Sequence, residues 1–99
     1  MRLTADHQRI IRETTTEVFG PDTEVLVFGS RVNDSARGGD LDLLIQSKRP
    51  IHDHRRKALQ LMAKLQMRLG DQPIDVLVLD PRTDRQPIHD EATQTGIRL

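Results

Sequence analysis

The chain has 99 residues, of which 35% are hydrophobic and 30% charged, and its 15 basic residues balance its 15 acidic ones. The zero net charge and the near absence of aromatic residues argue against stable nucleic-acid binding, which relies on basic excess and base stacking. The lack of cysteine excludes disulfides, thiolate metal sites and cysteine nucleophiles. Because neither a membrane-spanning run nor a secretory signal is visible, we expect one cytoplasmic domain over 1–99 without membrane association.

Apolar periodicity predicts helices that alternate with a few short strands. The predicted elements, in chain order, are a helix over about 4–19, strands over 24–28 and 40–46, a helix over 52–69, a strand over 74–79 and a short helix over about 87–94. Thr4 is the expected N-cap of the first helix, and Gly20-Pro21 is its expected stop. This order indicates a small sheet backed by helices.

Three aspartates stand in strands that are otherwise apolar. Asp40 and Asp42 belong to the second predicted strand and Asp75 to the third. Because strand side chains alternate, Asp40 and Asp42 point off one face, opposite the intervening leucine. If the third strand pairs beside the second, Asp75 joins them, and three carboxylates suit two Mg²⁺ ions for phosphoryl or nucleotidyl transfer. The Asp-x-Asp pattern alone leaves open the alternative of surface residues facing water.

The residues before this pattern suit a phosphate group. Gly29, Ser30 and Arg31 follow the first predicted strand, and the nine residues 31–39 separate Ser30 from Asp40. A glycine at a strand end lets a phosphate approach the backbone, and the serine hydroxyl and backbone N–H groups can hold phosphate oxygens. Arg31 would add charge-assisted contacts. The combination of Gly-Ser, Asp-Leu-Asp and a later strand aspartate is far more specific than any part of it.

The stretch GSRVNDSARGGDLDLLI resembles the signature of the minimal nucleotidyltransferases in the DNA polymerase β-type superfamily. Gly29, Ser30, Asp40 and Asp42 match that pattern directly, and Asp75 matches its third carboxylate position. The resemblance covers about 25–46 and 74–79. It implies an α+β fold, in which a small mixed β-sheet is flanked by helices on one side.

The resemblance also implies an activity and a role for each matching residue. Members of the family transfer a nucleoside monophosphate from an NTP, here expected to be AMP from ATP, to an acceptor hydroxyl. By resemblance, Asp40, Asp42 and Asp75 hold two Mg²⁺ ions, and Asp75 also helps to deprotonate the acceptor. Gly29 and Ser30 bind the triphosphate, and Arg31, which lies outside the strict motif, is added as a phosphate contact.

The expected partner follows from the same resemblance. Stand-alone domains of this kind are often encoded beside a helical HEPN-type protein as its antitoxin, and some are thought to add AMP to a tyrosine. Because the chain contains no tyrosine, such an acceptor must lie on another protein. Two hypotheses remain: an enzyme that modifies its partner, and a non-enzymatic antitoxin that blocks the partner stoichiometrically. A homo- or hetero-oligomer stays open, and adenylylation of a small molecule is less favoured.

The cluster around Asp53 and the aspartate at position 80 have structural rather than functional interpretations. His52 and His54 flank Asp53 in a metal-like cluster, which we interpret as a helix start. Asp80, followed by proline, is interpreted as the end of the third strand.

Overall fold

The computed structural model describes residues 3–29 and 40–99. The elements are α1 (Ala5–Phe19), β1 (Thr23–Phe28), β2 (Leu41–Ser47), α2 (His54–Leu69), β3 (Ile74–Leu79), α3 (Pro87–Thr95) and β4 (Ile97–Arg98). All six predicted elements are present with the predicted type. The two-residue strand β4 was not predicted, because so short a segment has no readable alternation.

The strands form one mixed sheet in the order β3-β2-β1-β4. β1 is antiparallel to both β2 and β4, whereas β2 and β3 are parallel. Parallel neighbours need a crossover connection, which α2 supplies between β2 and β3. The α+β fold class is therefore confirmed.

One face of the sheet is covered by α1 and α2. Their buried side chains pack on inward-facing residues of the two central strands and of the start of β3. The fully buried members of this core are Ile11, Val27, Leu41, Leu43, Ile45, Leu61 and Leu65. The predicted alternation of β2 is thus confirmed, since its odd-numbered residues share this face.

The other face of the sheet is covered by α3. Ala92 of that helix joins a second buried cluster with Leu26, Phe28, Leu44 and Leu79. We expected helices on one side only, and α1 and α2 do share a side, but α3 lies on the opposite one. The physical reason is that β1 and β2 are central strands with apolar residues on both faces, so the second face also needs cover.

The end of α1 and the end of α2 are joined by Arg68. Its guanidinium donates to Glu17 at 2.7 Å and to the Thr14 hydroxyl at 2.8 Å. The hydrogen bond from Arg68 lowers the pKa of Glu17. At the start of α1, Thr4 accepts a hydrogen bond from the backbone of His7 at 3.1 Å, which confirms the predicted N-cap.

A fully buried carboxylate, Asp80, links the end of β3 to the start of α2. Its Oδ2 accepts hydrogen bonds from the Ile51 backbone at 2.6 Å and from His54 Nε2 at 2.7 Å. Its Oδ1 accepts from the Arg82 backbone at 2.9 Å and from the Thr83 hydroxyl at 3.1 Å. Burial alone raises the pKa of this carboxyl, but the four hydrogen bonds outweigh it and hold the pKa well below the ordinary value.

Asp80 also explains the start of α2. The N-cap residue Asp53 lies in the left-handed region, at φ 56°, and its side chain makes no cap hydrogen bond. Asp80 instead accepts from the Ile51 N–H and from His54. The histidine-rich segment is therefore a helix start, as interpreted, and its anchor comes from a residue 26 positions away from His54.

We expect Asp80→Asn to lower the free energy of unfolding by about 2–3 kcal/mol, because an amide cannot accept all four hydrogen bonds. A lowered folded-state pKa stabilises the fold above the ordinary carboxyl pKa of 3.8 and loses that effect as pH falls further. The difference from wild type should therefore be full at pH 5 and shrink towards pH 3. Urea unfolding at both pH values measures it. Exposed Asp84→Asn is the control, and a pH-independent difference contradicts the prediction.

Candidate active site

The parallel pairing of β2 with β3 brings two of the predicted aspartates together. Asp42 and Asp75 are direct register partners, and on its other side Asp42 is opposite Phe28 of β1. Alternation places Asp42 and Asp75 on the face that α3 covers, with Leu44 and Leu77. The condition that β3 lies beside β2, which the sequence left open, is therefore met.

The electrostatics of this group centre on Asp42. Asp42 is half-buried, whereas Asp40 and Asp75 are exposed. Burial raises the pKa of Asp42, and repulsion from Asp75 and then from Asp40 raises it further, together with a hydrogen bond to Asp75. The group therefore holds negative charge at a free-energy cost that a nearby cation would remove.

The donor chemistry of this group fits Mg²⁺, since carboxylate oxygens are its preferred protein ligands. Asp42 and Asp75 come close enough for a hydrogen bond between their carboxyl groups, and Asp40 lies near enough to repel Asp42. Across residues 3–29 and 40–99, no three His, Asp or Glu side chains are already arranged around one ion position. The pair formed by Asp42 and Asp75 is therefore the part of the predicted metal site that the described geometry assembles.

Gly29 lies directly against the Asp42 carboxylate. Its φ is +75°, and a Cβ at this position would collide with Asp42 Oδ2 and lie 3.2 Å from Asp42 Cγ. Glycine is thus required for two reasons, backbone conformation and space. The sequence predicts phosphate approach at Gly29, and the structure adds the contact of Gly29 with Asp42. The other two predicted phosphate contacts, Ser30 and Arg31, lie outside the described residues.

A cleft of about 530 Å³ opens above these residues. Its polar floor contains Gly29, Asp42 and Asp75, and its walls are mostly apolar. The lining also includes Phe28, Met62, Val76, Leu77, Ile88 and Glu91. Glu91 was missed from the sequence, although it stands three positions after Ile88 and so shares a face of α3 with it.

A larger cleft of about 780 Å³ lies at the opposite end of the sheet, beside Glu24 and Arg98. Four of its five charged lining residues form two ion pairs, Arg49 with Asp22 at 3.5 Å and Arg98 with Glu24 at 3.1 Å, and the fifth is Lys48. Because the two charges within each ion pair neutralise each other, the larger volume of this cleft does not make it the better candidate for the functional site. The smaller cleft holds the like-charged carboxylates and is the better candidate site.

The site thus combines Asp42 and Asp75 on adjacent strands with Gly29 packed against Asp42, and paired carboxylates can hold the metal ions that assist phosphoryl transfer. The chain belongs to the nucleotidyltransferase domain family, whose model matches residues 9–95. The fold described above agrees with that membership, which makes the chain a nucleotide-transferring domain. No curated protein matches the sequence. Within the described ranges, every helix is too short or too polar to cross a membrane.

The contact between Gly29 and Asp42 can be separated from backbone strain by a matched glycine. Gly20 has a similar φ of +94°, but a Cβ added there would meet no atom within 4 Å, so Gly20→Ala introduces strain alone. The strain that Gly20→Ala introduces costs about 1–2 kcal/mol. We expect Gly29→Ala to destabilise the fold by more than this. Urea unfolding of both variants, alone and combined with Asp42→Ala, should show coupling of about 1 kcal/mol only for Gly29. Additive effects at Gly29 would contradict the contact.

Asp42→Asn should stabilise the metal-free protein at neutral pH. The pKa of Asp42 is raised above 3.8, so its folded state binds a proton more readily than its unfolded state, and wild-type stability falls as pH rises through that folded-state pKa. The neutral amide avoids this loss, and the advantage should vanish below pH 3.8. Thermal unfolding in chelator measures it, with Asp84→Asn as the control. A destabilised Asn variant at pH 7 is the contrary result.

Proposed function

We propose that this domain transfers a nucleoside monophosphate, AMP from ATP, to a hydroxyl group on a partner protein in a Mg²⁺-dependent reaction. The observation that carries the proposal is the register of Asp42 and Asp75 on adjacent strands, with Gly29 packed against Asp42. Family membership supports nucleotide transfer in general. The acidic floor of the cleft supports the metal.

Each residue of the proposed site has a role in the reaction. Asp40, Asp42 and Asp75 would hold two Mg²⁺ ions, which supply positive charge against the triphosphate. Gly29 leaves room for the triphosphate at the end of β1, where Ser30 and Arg31 follow in sequence. Positioning by these groups contributes most of the catalysis in such displacements.

The chemical step is an in-line displacement at the α-phosphorus of ATP. A bond forms between the acceptor oxygen and the α-phosphorus as the bond between the α-phosphorus and the oxygen bridging to the β-phosphorus breaks. Pyrophosphate leaves with the electron pair of the broken bond. Asp75, a solvent-exposed residue of the cleft, accepts the hydroxyl proton. The products are the adenylylated acceptor and pyrophosphate.

The partner class comes from the resemblance to minimal nucleotidyltransferases. We propose a separately encoded helical protein of HEPN type as the acceptor and the domain as its antitoxin, acting in the cytoplasm. Because the chain itself has no tyrosine, a tyrosine acceptor must be intermolecular. The whole chain, 1–99, is proposed as one functional domain.

Label transfer tests the reaction. The protein and Mg²⁺ are mixed with α-labelled or γ-labelled ATP and a native cell lysate as the source of acceptor. We expect label on an acceptor band from the α position only. Because several kcal/mol of charge stabilisation depend on the metal site, Asp42→Asn should lower transfer by about 100-fold or more.

The matched control for that experiment is Asp84→Asn, an exposed carboxylate beyond the other end of β3. It should retain wild-type transfer. Absence of transfer from every NTP, with partner neutralisation intact in Asp42→Asn, would instead establish the non-enzymatic antitoxin that blocks its partner stoichiometrically.

A further inference from the structure

One edge of the sheet is open beside the candidate active site. β3 is the outermost strand of the described sheet, and its outer side has no strand partner within residues 3–29 and 40–99. The N–H of Leu41 donates to the carbonyl of Pro73 at 3.0 Å. In a parallel ladder, this hydrogen bond means that the N–H and C=O groups of Asp75 and Leu77 face β2. The N–H and C=O groups of Val76 and Val78 therefore face outwards.

An apolar groove follows this open edge and ends at the carboxylates. A cleft of about 350 Å³ lies beside Val78 and His54, and the active-site cleft lies beside Asp75. The two clefts share the lining residues Met62, Val76 and Leu77. We call this continuous surface the β3 groove.

The two ends of the β3 groove carry opposite charge. Asp42, Asp75 and Glu91 lie at one end, whereas Arg55 lies at the other, beside His54, whose Nε2 is hydrogen-bonded to the buried Asp80 carboxylate. Among the described residues no carboxylate forms an ion pair with Arg55, and the first turn of α2 contains no acidic residue. A basic side chain at a helix N-terminus is electrostatically unfavourable. The exposed N-cap residue Asp53 lines a neighbouring cleft with Arg55 but forms no ion pair with it among the described residues, so Arg55 is available to an anionic partner.

We propose that the β3 groove binds an extended segment of the acceptor protein as an added strand on β3. The segment's backbone pairs with Val76 and Val78, its hydroxyl residue lies at Asp75, and a carboxylate lies near Arg55. Val78, which lines the groove with Arg55, is three residues after Asp75, and Arg55 lies on the opposite face of the sheet from the Asp75 side chain, so the carboxylate stands about three residues from the hydroxyl. The assignment deepens the proposed function and rests on it, because it names how the acceptor is held.

A second copy of the chain is a poorer occupant of the same edge. Edge-to-edge pairing would bring two copies of α2 side by side, because α2 packs against β3. The basic residues of α2 are Arg55, Arg56, Lys57, Lys64 and Arg68, and it contains no acidic residue. Like-charged helices repel, so the groove fits an acidic segment of another protein better.

Nuclear magnetic resonance without nucleotide or Mg²⁺ tests binding separately from catalysis. The probe is a set of octapeptides of alternating valine and threonine, each with one tyrosine or serine and an aspartate three residues from it. We expect the amide signals of Val76 and Val78 to shift and their hydrogen exchange to slow. Peptides with asparagine in place of aspartate should bind about fivefold more weakly.

Two variant pairs distinguish the two features of the groove. Val76→Pro removes an outward N–H without touching the β2 ladder and should weaken binding about tenfold, whereas Val76→Ala should change it less than about threefold. Arg55→Glu should abolish the preference for aspartate, and Arg56→Glu, which lies outside the groove, should preserve it. Val78→Pro repeats the first test if Val76→Pro unfolds.

Three results would overturn the assignment. The first is that Val76→Pro and Val78→Pro leave peptide binding unchanged. The second is that no octapeptide binds. The third is that the wild-type chain self-associates in sedimentation and that Val76→Pro abolishes this self-association. If label transfer to a lysate acceptor proceeds equally well in folded Val76→Pro, the groove assignment fails while the proposed function stands. If the peptides bind but no label transfer occurs, the groove assignment stands while the proposed function fails.

Discussion

The parallel pairing of β2 with β3 is the constraint on which the rest of the structure depends. It requires the α2 crossover, and it places Asp42 beside Asp75 at one end of the sheet. At the other end, Asp80 holds the start of α2 through Ile51 and His54. A slip of one residue in this register would turn one of the two aspartates into the core under α1 and α2.

The candidate site sits on a part of the fold that is costly to form without a cation. Asp42 is half-buried among like charges, and burial and repulsion both raise its pKa. Gly29 adds a positive φ and fits only because it has no Cβ. Stability and proposed function thus oppose each other at these residues. At the far end of β3, by contrast, the buried and fully hydrogen-bonded Asp80 stabilises the fold.

The same strand that carries Asp75 also forms the open edge of the sheet. The central strands β1 and β2 have helices on both faces and strand partners on both sides, whereas β3 has a free outer side among the described residues. Open edges are normally protected because they pair readily with other chains. Here the open edge leads to the carboxylates, and the proposed strand addition by an acceptor protein gives that edge a use.

The sequence by itself determined the element types, the inner and outer faces of β2, and Asp40, Asp42 and Asp75 as the site candidates, because alternation and misplaced charge are local signals. Only the tertiary structure decided which strands are neighbours, since register depends on contacts between distant segments. It therefore placed Asp42 opposite Asp75, brought Glu91 to the cleft and α3 to the second face. The burial of Asp80 was equally unreadable, because its partners at Ile51 and His54 lie far away in the sequence.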